Sequence, residues 1–201
     1  MKKILAVLTI ASALLLTGCS QSNEAASVGD FKISQTELQK SIDAVIAERA
    51  NIDVSQMQLE TGDELNRGQL RFKILMHTFD EIAKELKIEV TSSQIEAKKA
   101  TIIGSVGGEA ELPKNLVNAA IALQDFDTYV RAIVISEQIS AALAQSGVAE
   151  TEVSTKVGEL LSAKAKSLGV KINPRYGAWD NEAGDVVAAN VTGDAVKPSD
   201  K

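Results

Sequence analysis

The chain holds one thiol, Cys19, and one imidazole, His77. A nucleophilic dyad needs a base beside the nucleophile, and a zinc cage needs several Cys or His. A zinc site, a disulfide framework and a catalytic centre built on several such residues are therefore all but excluded. His77 stands between Met76 and Thr78 in a helical stretch with no sequence partner for a dyad, and reads as a helix residue. Carboxylates cluster as Asp80, Glu81 and Glu85, and again as Asp125 and Asp127. Paired carboxylates can do acid–base work, but charges on the outer face of a helix are the default reading. In Asn173-Pro174-Arg175-Tyr176-Gly177-Ala178-Trp179-Asp180, Arg175 could take a carboxylate or phosphate while Trp179 stacks. The architectural reading is preferred: Pro174 and Gly177 shape a turn, and Tyr176 and Trp179 bury aromatic area. Gly104-Ser105-Val106-Gly107-Gly108 lacks the Lys-Ser/Thr ending of a phosphate loop. No catalytic residue, metal ligand or cofactor is expected.

Cys19 has a context that gives its thiol a task. Lys2 and Lys3 precede an uncharged apolar run, Ile4 to Leu16, too short for a stable membrane anchor of about 20 residues. A basic start, a short apolar core and small residues after it make a secretory signal. Leu16-Thr17-Gly18-Cys19 then resembles the lipobox of bacterial lipoproteins, which implies cleavage before Cys19 and diacylation of its sulfur. Several acyl chains on one residue give stable membrane attachment. Ser20, rather than Asp, follows the Cys; in a Gram-negative cell that resemblance implies sorting outward.

Of the 201 residues, 45% are apolar and 24% charged, a globular composition. Aromatics are only 3%, which disfavours a β-sandwich or a base-stacking surface. Removing residues 1–18 takes two Lys and no acid, leaving 19 basic against 27 acidic side chains, a net −8. Such a domain repels phosphate, so no nucleic-acid partner is expected, and membrane contact should come through the lipid.

The elements follow from period and caps. Residues 19–26 read as a polar tether. Val28, Phe31 and Ile33 around Gly29-Asp30 suggest a strand or hairpin. Ser34-Gln35-Thr36-Glu37 is a capping box opening a helix with Leu38, Ile42, Val45 and Ile46 on one face. Residues 51–62 are irregular. A longer helix spans about 64–86, another capping box at Thr91–Gln94 opens a helix to about 103, and one long helix is expected over 115–145, bent near 124–127. Glu150 to Leu168 is amphipathic and stopped by Gly169. Val170 to Pro174 reads as a short edge strand. From 181 onward no period remains, and a disordered tail is expected to 201. The fold class is mostly α, with a small two-stranded sheet joining the N-terminal and C-terminal segments of one domain, 27–180.

Two stretches carry a family resemblance: SVGDFKISQTELQKSI, directly after a secretion signal, and VKINPRYGAWD, closing the domain. With the helices between them they resemble the N-terminal chaperone domain of the SurA and PrsA family of extracytoplasmic foldases. The resemblance implies an N-terminal strand paired with one from the domain's end and a helical cradle related to the trigger-factor chaperone domain. Many members insert a parvulin prolyl-isomerase domain of about 90 residues with paired His. This chain has neither the residues nor the His for one, so isomerase activity is not carried over and no enzyme is expected.

The function expected from this reading is a membrane-tethered, ATP-independent chaperone in the cell envelope, with unfolded or nascent secreted polypeptides as partners. The apolar surplus on the helices is either core or groove. Met57, Leu59, Leu75, Met76 and Phe79 are the candidate client-binding residues, because mobile side chains suit a promiscuous surface. Two alternatives stay open: an accessory lipoprotein serving one dedicated envelope partner, and an isomerase relative with cryptic activity.

Overall fold

The computed structural model describes residues 23–189; the leader, Cys19 and residues from 190 onward lie outside them. The described residues open with a hairpin, β1 (Glu24–Val28) and β2 (Phe31–Ser34), turning at Gly29 with φ +59°. Residues 24–26, expected as part of a tether, are strand instead; residues 19–22 lie outside the described residues. Alanine is a poor strand former, but Ala25 and Ala26 are both buried, and a register shift between Glu24 and Ala26 turns two successive side chains inward.

Ser34 then caps α1 (Gln35–Arg49): its Oγ accepts from the Glu37 amide at 3.1 Å, and the Glu37 carboxylate accepts from the Ser34 amide at 2.9 Å. Helix α2 (Gly62–Leu86) is followed by α3 (Ser92–Ser105), which the expected Thr91–Gln94 box caps. The single helix expected over 115–145 is in fact two. They are α4 (Leu112–Asn118) and α5 (Phe126–Gln145), separated by a reversal through Ala120, at φ +52°, and a 3-10 turn, Leu123–Asp125. The break is imposed from outside: the buried Gln69 of α2 donates from Nε2 to the Ala120 carbonyl at 2.6 Å and accepts from Ser41 Oγ of α1 at 3.0 Å. Helix α6 (Glu150–Leu168) ends at Gly169, whose φ of +75° suits a residue without Cβ.

β3 (Val170–Ile172) pairs antiparallel with β1, matching Ala26 with Ile172 and Val28 with Val170. The expected joining of N-terminal and C-terminal segments is present, but the sheet has three strands, in the order β2-β1-β3. A second sheet joins β4 (Ala178–Asp180) and β5 (Asp185–Val187). β5 lies inside the stretch expected to be a disordered tail; Val186 is buried there, packing into the core beneath the first sheet.

Helix α2 is the spine. Leu65, Leu70 and Ile74 join β1, β2 and α1 in the first core, Ile82 and Ala83 join α5 and α6 in a second, and Phe72 packs on a third formed by α4 and α5. Tyr176 and Trp179 pack against the first core, as the architectural reading expects.

Candidate functional site

The surface of α2 that the cores leave uncovered carries two adjoining hollows. The larger, about 380 Å³, is bounded by Phe31 and Ile33 of β2, Glu37 and Lys40 of α1, Asp125 of the 3-10 turn and Thr128 of α5. Its α2 wall is Phe72, Lys73, Met76, His77 and Asp80. The smaller, about 230 Å³, lies between α2 and the reversal at Ala119–Ile121, with Leu75, Tyr129 and Glu60 at its edges. Phe72 and Met76 line both hollows. Both are half-buried, so a ridge of one aromatic and one thioether separates two basins.

Each wall has a local cause. Phe31 belongs to β2, which among the described residues pairs only with β1, and 42% of Phe31 stays exposed. Its ring stacks on His77 at 4.1 Å between centroids and 16° between planes. Partial burial holds the His77 pKa below the ordinary histidine value; Glu81 pulls the other way. At the opposite rim, Asp80 accepts from Arg131 Nε of α5 at 2.8 Å. Asp125 accepts from Ser41 Oγ at 3.2 Å, which ties the start of α5 to the same buried Ser41–Gln69 pair that sets the reversal. The Glu37 carboxyl is held below its usual range first by the Ser34 amide, then by the Ser34 hydroxyl, with Lys73 and Lys40 adding to it. The cleft thus has an apolar floor and a rim of both charges.

The five candidate binding residues do not share one surface. Leu75 and Met76 line the hollows. Phe79 packs instead on the second core, beside Ile82 and Ile139. Met57 and Leu59 are half-buried in the segment between α1 and α2. That segment reaches the smaller hollow through Glu60, whose backbone carbonyl accepts from Arg49 Nη1 at 2.7 Å. Asp80 and Asp125, expected on solvated outer faces, line the cleft. Phe31, Phe72 and His77 were the residues sequence reasoning missed. Phe72 was legible as an apolar α2 position, whereas the Phe31–His77 stack joins a strand to a helix residue 46 positions later, which no local pattern reports. Cys19, the expected lipidation site, lies outside the described residues.

Among the described residues, no group of three or more His, Cys, Asp or Glu is arranged to hold a metal, and no helix is long and apolar enough to cross a membrane. Comparison with protein-family models, with curated proteins and with solved structures gives no match.

Proposed function

We propose that this chain is a lipid-anchored, ATP-independent chaperone of the cell envelope, holding unfolded or nascent secreted polypeptides in the cleft over α2. The observation that carries the reading is the pair of basins sharing Phe72 and Met76. Two hollows on either side of a deformable ridge suit successive apolar side chains of an extended client, and a thioether adapts to many shapes. Reversible occupancy lowers the free concentration of aggregation-prone chain without any chemistry. The resemblance to the SurA and PrsA family and the lipobox around Cys19 add the location, outside the cytoplasmic membrane where chains emerge.

The test is suppression of aggregation of several unrelated unfolded clients by the chain from residue 20 onward, at near-stoichiometric ratio, with prolyl-isomerase turnover assayed on the same sample. Suppression without turnover is expected, and Met76→Glu or Phe72→Glu should weaken it while α2 stays helical by circular dichroism. Failure to protect any client would defeat the reading. Suppression untouched by either substitution would move the binding surface elsewhere.

A further inference from the structure

The described fold begins at Asn23, four residues after Cys19. Four residues span about 14 Å at full stretch, whereas a folded body of this length has a radius of gyration of about 15 Å. The tether is therefore shorter than the body it carries, and an acylated Cys19 fixes which end of that body meets the bilayer. The strand register shows what stands there. The Asn23 carbonyl accepts from the Gln35 amide at 2.9 Å, placing the start of α1 beside it. The Glu24 carbonyl accepts from Asn173 Nδ2 at 3.0 Å, which brings the turn after β3 to the same place.

From these observations we infer that this end of the sheet docks on the lipid headgroups, with Arg175 and Tyr176 as its contacts. The inference rests on the lipoprotein reading given above. Arg175 is exposed, and two neutral side chains hold it: Nη1 donates to Gln35 Oε1 at 3.1 Å, and the guanidinium lies 5.6 Å from the centre of the Tyr176 ring. The acids at this end have cations beside them, Glu24 paired with Lys32 at 2.5 Å and Glu37 in the field of Lys73 and Lys40. A domain of net −8 must otherwise be repelled by an anionic leaflet, and Arg175, which pairs with no carboxylate among the described residues, puts a cation at the end brought closest. An arginine beside a tyrosine also suits the headgroup region, one reaching phosphate and the other placing an amphipathic ring at the interface.

The lipidated full chain in vesicles of phosphatidylcholine and phosphatidylglycerol provides the test. Acylation consumes the Cys19 thiol, so Thr36→Cys at the docked end and Asp30→Cys at the hairpin turn each supply one site for a fluorophore. The two ends of β1 are about 14 Å apart. With nitroxide-headgroup lipid in the vesicles, quenching at position 36 should exceed that at position 30 several-fold, and adding Arg175→Glu should bring it down toward the value at 30. Equal quenching at both positions, in protein that floats with vesicles and carries an acylated N-terminal peptide, overturns the docking and leaves the lipoprotein reading intact. Absence of acylation and of flotation overturns both.

Discussion

Gln69 is 2% exposed, and both ends of its amide are engaged. Gln69→Leu keeps much of the volume but leaves the Ala120 carbonyl unmet; Ser41 retains Asp125 as a partner. This carbonyl is partly buried at the wall of the smaller hollow, so losing its donor should cost about 1 kcal/mol, the low end for an unmet group, and thermal unfolding followed by circular dichroism should show a Tm lower by a few degrees. His77 gives a prediction with a sign. Its folded pKa lies below the ordinary 6.5, so the unfolded chain binds the proton more readily. This group leaves stability unchanged above pH 6.5. It removes stability as pH falls from there to the lower folded value, and changes nothing further below it. Urea midpoints taken across that window should fall with acidification, and His77→Phe, which keeps an aromatic ring against Phe31, should flatten the slope. Glu37 and Asp180 act in a separate, more acidic window: their folded values are depressed, so their contribution is present above the ordinary carboxylate values and lost as pH falls through the folded ones.

Elements stop and start here for reasons of unequal reach, which decides what a sequence reveals. The boxes at Ser34–Glu37 and Thr91–Gln94 are complete within four residues, so both helix starts were legible. The mostly helical class, the hairpin turn at Gly29 and the stop at Gly169 were legible for the same reason. The break between α4 and α5 was not, because a residue of α2 some 50 positions earlier makes it. β5 was hidden likewise: its short Asp-Val-Val has no period, and it becomes a strand only against β4. The two sheets' glycines separate conformational cost from collision. Gly169→Ala meets no atom within 4 Å and bears only the left-handed penalty, about 1 kcal/mol. Gly177, at φ +128°, would drive a methyl into the Val187 carbonyl of β5, which cannot turn aside as a side chain would. Gly177→Ala should cost about 3 kcal/mol, and denaturant midpoints of the two variants should fall in that order.

At the scale of the molecule, the acidic surplus predicts that the chain from residue 20 leaves duplex DNA unshifted in a gel even at low salt, where any phosphate contact would be strongest. The candidate site was half legible on this scale. Met76 and Leu75 could be named from helical period, while the hollows exist only because β2, α1 and the α5 start converge on α2. The pairing of β1 has a consequence in time. Its first partner, β2, follows within a few residues, but its second, β3, lies about 150 residues later. A chain delivered N-terminus first at the rate of synthesis keeps that edge of β1 waiting for about 10–30 s. During that interval this chain is itself an incompletely folded polypeptide with an open strand edge, the kind of species its cleft is proposed to hold.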